Sequence, residues 1–384
     1  MRNTNKKGFT IVELVIVVAV IAILAAVLIP TFSGIINKAN QSADQQAVAN
    51  MNKLLAMNEK AADVDGVIEI LIKEGYKGDL STYFKDYELA WLASENVIVL
   101  VQDNAVVYPK ANAGATGYEV INPMATDAGA LTGGLTAGDV VYVGGDIAIS
   151  DYLAPGAAGD YAVKLNGNTL NASNIVGSWV DGAKLVVSNG VIDGSSITDD
   201  DGRVVVVYAS MGGTVELKNV QVVAPEGANT IQCYGATMVL DNVTAAQSGN
   251  AEVGYYNSAI QIVDGYGEND QYRSHLTVNG GVYTGNKALQ MSLPGGTVII
   301  NGGVFAGNEA IHMDSNGVSY PDHAHSITIN GGNFTGAIYG GVGSEIIING
   351  GTFSINPETD ITGGATVTIN GSVVDNGNGT WTVK

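Results

Sequence analysis

Five copies of one short pattern fill the last third of this chain: HLTVNGGVYTGN, VIINGGVFAGN, ITINGGNFTGA, IIINGGTFSIN and VTINGSVVDNG. In each, an alternating apolar strand runs into Asn-Gly, and an aromatic or aliphatic residue follows. The residue before the Asn anchors the pattern at Val278, Ile300, Ile329, Ile348 and Ile369, and weaker copies carry it back to Leu165, Val187, Leu217 and Leu240. Steps between anchors cluster at 19–23 residues, with longer ones at 187–217, 240–278 and 300–329. A unit this short cannot bury its apolar face alone, so copies must stack on one another. Period-two strands joined by glycine turns predict an all-β solenoid, a right-handed parallel β-helix, over residues 121–384.

The spacing also predicts what fills each rung. The residue five after each anchor should point inward: Leu170, Ile192, Val222, Ala245, Tyr283, Phe305, Phe334, Phe353 and Val374. Asn279, Asn301, Asn330, Asn349 and Asn370 should stack into an amide ladder along the axis. Solenoid ends need caps, because open strand edges invite aggregation. GLTAGDVVYVGGDIAI (134–149) reads as the first rung or a cap, and DNGNGTWTVK as a closing hairpin with Trp381 as its lid.

A second strand recurs as TIQC, AIQI, ALQM, AIHM and AIYG. Alternation places Ile231, Ile260, Leu289, Ile311 and Ile338 inside, and Gln232, Gln261, Gln290, His312 and Tyr339 outside on successive rungs. The inserts 264–274 and 314–326 follow this strand, and 195–202 precedes it. Insertions gathered on one side of a repeat protein often mark its binding face. The outer column is therefore either a ligand-binding groove or a solvated amide ladder with nothing bound. The region resembles the parallel β-helices of pectate-lyase-like surface proteins, and that resemblance makes glycan the expected ligand class.

The amino-terminal end obeys different rules. Phe9 to Ile29 is apolar except for Thr10 and Glu13, long enough as a helix to span a bilayer core. Arg2, Lys6 and Lys7 precede it, so the amino terminus should stay cytoplasmic and the rest face outward. Apolar positions then continue at helical spacing through Phe32, Ile35, Ile36, Ala39, Ala43, Ala47, Val48, Met51, Leu54 and Leu55. One helix over 9–60 is predicted, apolar all round in its first half and amphipathic in its second. Glu13 is costly there, on the order of 2.5–3.5 kcal/mol at the centre of a lipid-exposed helix and less near an end.

KKGFTIVEL (6–14) resembles the class III leader of type IV pilins and pseudopilins. In that family a prepilin peptidase cuts after the glycine and methylates the new terminal residue. The resemblance implies a leader over 1–8, cleavage between Gly8 and Phe9, and N-methylation of Phe9. It also implies an ion pair between Glu13 and the Phe9 amino terminus of a neighbouring subunit, which would offset the cost of burying the acid. Pro30 falls where family helices carry a proline, which can kink the helix. Residues 61–110 carry a short amphipathic helix (VDGVIEILIKE, 64–74) and strands YELAWL, NVIVLV and AVVYP, resembling the small α+β head of pseudopilins. Residues 111–120, small and without apolar period, read as a linker.

Composition excludes more than it selects. The net charge is −20 and the only arginines are Arg2, Arg203 and Arg273, which argues against nucleic-acid binding through phosphates. One cysteine, Cys233, forbids an intrachain disulfide framework. Asp199–Asp201 with Arg203, and Asp264, Glu268, Asp270 with Arg273, are the acidic loops where calcium or a catalytic carboxylate pair would sit, yet such loops are ordinarily solvated turns. His275, His312, His323 and His325 cluster near Asp314 and Asp322 without a known metal-ligand spacing. No catalytic residue, metal or cofactor is expected. The expected protein is a processed, membrane-anchored pilin-like subunit of a surface filament, with prepilin peptidase, other pilins, the membrane and glycans as partners. Its rivals are a tethered β-helix polysaccharide lyase or hydrolase and a pseudopilin of a secretion or DNA-uptake machine.

Overall fold

The computed structural model describes residues 11–137, 140–198, 204–248, 258–265, 271–315 and 325–384. A long apolar amino-terminal helix is followed by a large sheet-rich region. The chain forms two compact units, one of the chain to Gly75 with Ser81–Asn122, the other of Tyr76–Leu80 with Pro123–Lys384.

In the first unit, α1 (Ile11–Met57) is one continuous helix of 47 residues, about 70 Å long. Its early apolar side chains, from Ile11 to Ile36, are exposed on all faces, and among the described residues it alone is long and apolar enough to cross a membrane. The amphipathic stripe is buried only at its end, where Val48, Met51 and Leu55 are fully covered. Asn52 fastens this end to a sheet: its amide donates to the Ile98 carbonyl at 2.9 Å and its side-chain oxygen accepts from the Ile98 N–H at 2.5 Å. α2 (Val64–Lys73) starts at Asp63, whose carboxylate accepts from the Gly66 N–H, and buries Val67, Ile68 and Leu71. β1 (Glu88–Leu92), β2 (Val97–Gln102) and β3 (Ala105–Tyr108) form an antiparallel meander. β4 (Tyr118–Val120) adds to the free edge of β1, so the segment read as a linker contributes a strand to this sheet. Asn112 in the same segment is buried and donates to Glu95 Oε2 at 2.7 Å.

In the second unit, strands one repeat apart pair in parallel. His275–Val278, Gly296–Ile300, His325–Ile329, Glu345–Ile348 and Thr366–Ile369 run side by side with Val278, Ile300, Ile329, Ile348 and Ile369 in register. Val187, Leu217 and Leu240 extend that line backward to Val278. The inward column from Leu170 to Phe353 is likewise in register and buried, and its last four rings stack at 5.0, 5.2 and 5.0 Å. The Asn ladder forms as well. Each amide from Asn301 to Asn370 donates to the Asn of the preceding rung at 2.7–2.9 Å. Among the described residues the pairings close no barrel.

Three expectations need correction. Leu165 is not opposite Val187; Val163 is, because the turn at Asn166-Gly167 holds two more residues than later turns. Leu165 remains buried, since a shift of two preserves the face. Val374 is exposed: Val373–Asp375 belongs to an antiparallel hairpin with Trp381–Val383, and there Val373 faces the core. In that hairpin Val383 is the buried residue and Trp381, opposite Phe353, is only half-buried. Finally, the Gly-Leu-Thr-Ala at 134–137 is helical: α3 (Ala128–Ala137) precedes the first strands and inserts Leu131 and Leu135 into their core.

Candidate functional site

Gln232, Gln261, Gln290, His312 and Tyr339 stand in one register column across five neighbouring strands. Their flanking partners Ile231, Ile260, Leu289, Ile311 and Ile338 are fully buried on the opposite, core face. The alternation expected from the repeat therefore holds. Exposure does not follow it evenly, because Gln261 and Gln290 are only 2% and 3% exposed.

The column divides into two chemically different halves. In the first, the amides satisfy one another. Gln261 Oε1 accepts from Gln232 Nε2 at 2.6 Å and from Asn229 Nδ2 at 2.8 Å, and Gln261 Nε2 donates to Ser292 Oγ at 3.0 Å. Such a closed network holds the rungs together and leaves little to offer a ligand. In the second half, Gln290 Oε1 is buried without a hydrogen-bond partner among the described residues. Next to it, His312 Nε2 is 2.9 Å from Asp314 Oδ1, and its Nδ1 is 2.9 Å from Glu309 Oε2. The Glu309 contact is an ion pair rather than a hydrogen bond. Burial disfavours the charge on His312, but the hydrogen bond to Asp314 and the nearby negative charge of Glu309 outweigh it and raise the imidazole above its ordinary pKa. The ring stacks on Tyr339 at 5.0 Å and 18°, and the Tyr339 hydroxyl lies 3.5 Å from Ser315 Oγ.

Sequence reasoning missed one member of this column and two carboxylates beside it. Tyr208 continues it one rung back, opposite Gln232. The signal was VVVYAS, which has the alternation of TIQC but lacks its glutamine. Glu309 and Asp314 were not paired with His312 in advance, although their offsets of three and two residues place them beside it.

The remaining candidates separate. Gly8 and Phe9 lie outside the described residues, as do Asp199–Asp201, Arg203, Glu268, Asp270, Asp322 and His323. Glu13 sits in the first turn of α1. Asp264 accepts from the Ser274 N–H at 2.6 Å and lies 3.9 Å from Arg273 Nε, the bonding of a structured turn. His325 is buried inside the core, where desolvation lowers its pKa to about 4, while His275 is exposed on a strand. Among the described residues no three His, Cys, Asp or Glu side chains are placed to hold a metal ion. Cys233 is fully buried, and burial pushes its thiol up to about 12.

Comparison with known proteins bears on the amino-terminal end. The family described as the prokaryotic N-terminal methylation motif matches residues 3–29. The type IV wide pilus major component PilA4 of Thermus thermophilus is 47% identical over 55 residues, covering 14% of this chain and 40% of that protein. The chain thus spans less than half the length of that curated relative, and no solved structure matches. The amino-terminal region, with its methylation motif and long apolar helix, is type IV pilin-like.

Proposed function

We propose that this chain is a type IV pilin-like subunit, processed at Gly8–Phe9 and assembled through α1 into a surface filament that displays a parallel β-helix. The methylation motif matched over residues 3–29, which runs into α1, is the observation that carries this reading. Prepilin peptidase, the membrane and neighbouring pilins are its partners. Exposure of the apolar first half of α1 on every face supports packing first in lipid and then against other subunits. Glu13 would pair with the Phe9 amino terminus of the next subunit and set the axial register. In-register parallel pairing of strands one repeat apart supports the β-helix. Expression of Glu13→Ala tests the assembly step: the variant should remain in the membrane fraction and disappear from sheared surface filaments. Incorporation at the unsubstituted level would refute the pairing.

The role of the β-helix is adhesion to glycan at the outer column, centred on its second half. His312 and Tyr339 present stacked rings, with Glu309, Asp314 and Ser315 around them to hydrogen-bond hydroxyl groups. A glycan array probed with the full chain and with His312→Ala tests this. The parent should retain glycans that the variant loses, and equal retention by both would remove the column from the binding face.

A further inference from the structure

A pocket at the amino-terminal end of the sheet-rich region is separate from the outer column. It lies between α3 and the segment 152–161, with a volume of about 360 Å³, and Thr132, Leu135, Thr136, Tyr152, Leu153 and Tyr161 line it. That volume is at the small end of ligand sites and suits one or two rings. Among the described residues no charged side chain lines it.

Two observations say what it lacks. Tyr161 is 9% exposed as a residue, while its hydroxyl keeps contact with solvent at the pocket and makes no hydrogen bond among the described residues; neither does that of Tyr152. A phenol so placed has its donor free for whatever fills the pocket, and would be left buried without a partner by a ligand that offered none. Thr132 and Thr136 donate their hydroxyls to the carbonyls of Ala128 and Thr132 within α3, which leaves their oxygen lone pairs as acceptors. The pocket thus offers two phenolic donors and two acceptors beside an apolar floor of Leu135 and Leu153. Tyr152 is held edge-to-face against Trp179 at 5.4 Å and 83°, and is 55% exposed at the rim.

We infer that this pocket binds a single neutral sugar residue, with its hydroxyls on the tyrosines and threonines and an apolar ring face against the aromatic and leucine side chains. A wholly apolar ligand would leave the Tyr161 hydroxyl buried and unpartnered, and a charged one would find no counter-ion among the described residues. A sugar ring has both an apolar face and a hydroxyl edge.

The test uses the full chain in a phosphocholine detergent, which carries no sugar headgroup. Methyl hexosides, a methyl N-acetylhexosaminide and glucuronate are titrated by ligand-observed saturation-transfer NMR. At least one neutral glycoside should bind, and glucuronate should not. Tyr161→Phe and Tyr152→Ala should each raise its Kd about tenfold, the effect of losing one hydrogen bond or a stacking face. The losses on Tyr161→Phe and Tyr152→Ala should persist in a His312→Ala background, which removes any contribution of the outer column to the signal. Absence of binding by every neutral glycoside, equal binding of glucuronate, or a Kd unmoved by Tyr152→Ala overturns the inference. If Tyr161→Phe alters the melting transition, Tyr152→Ala, at an exposed residue, carries the test.

Discussion

His312 and His325 come from the same short stretch of chain, yet their surroundings push them in opposite directions. His325 is the first inward residue of its strand, in line with Ile327 and Ile329, and burial holds it neutral with a pKa lowered to about 4. Between the ordinary value of 6.5 and about 4 the unfolded chain takes up a proton that the folded chain refuses. Stability should therefore be full above pH 6.5 and fall below it, by on the order of 3 kcal/mol once pH 4 is reached. His325→Leu should flatten this acid limb in urea melts followed from pH 7.5 to 4.5; an unchanged limb would contradict the burial argument. For His312 the sign is reversed. Its raised pKa contributes stability below pH 6.5, and this is lost as pH rises through the folded value. Histidine NMR signals should show His312 titrating above 6.5 and His325 far below. Alternation put His312 on the outer face, and counting back by twos from the anchor Ile329 puts His325 on the inner one; what the sequence did not show is the pair of carboxylates held against His312.

At the scale of elements, legibility followed the repeat. Every anchor from Val187 to Ile348 and every inward residue from Leu170 to Phe353 lies where period-two alternation and the Asn-Gly turn put it. Legibility failed where the repeat changes form. An early turn with two extra residues displaced Leu165, and an antiparallel hairpin at the other end turned Val374 outward. α3 was hidden because AGALTGGLTA has no polar face to give it an amphipathic pattern. The stacked rings are where packing is most demanding. Phe334 lies between Phe305 and Phe353, so Phe334→Ala should cost about 3–5 kcal/mol in a denaturant melt. The turn glycines can be ranked similarly. Gly281 has φ of 109°, and a Cβ there would overlap the Val243 carbonyl oxygen, whereas a Cβ on Gly133 in α3 meets nothing within 4 Å. Gly281→Ala should destabilise by about 1–3 kcal/mol, and Gly133→Ala should be neutral or stabilising by up to about 1 kcal/mol. Equal effects at the two positions would contradict the close approach at the turn.

For the whole molecule, delivery and recognition were unequally visible. The processing motif is short and contiguous, so KKGFTIVEL could be read without any tertiary information. The outer column could be aligned from sequence. Its division into a self-satisfied amide half and a His312–Tyr339 half could not, because that depends on side-chain bonds between rungs. The pocket beneath α3 had no signal at all, since Thr132, Tyr152 and Tyr161 belong to no motif. A processed pilin-like subunit is defined by its mature terminus. Surface filaments sheared from the producing cells, digested and analysed by mass spectrometry, give that terminus directly. A peptide beginning at N-methylated Phe9 is the predicted result; a chain that still begins at Met1, or one cut after Ala26 inside the apolar run, would contradict it.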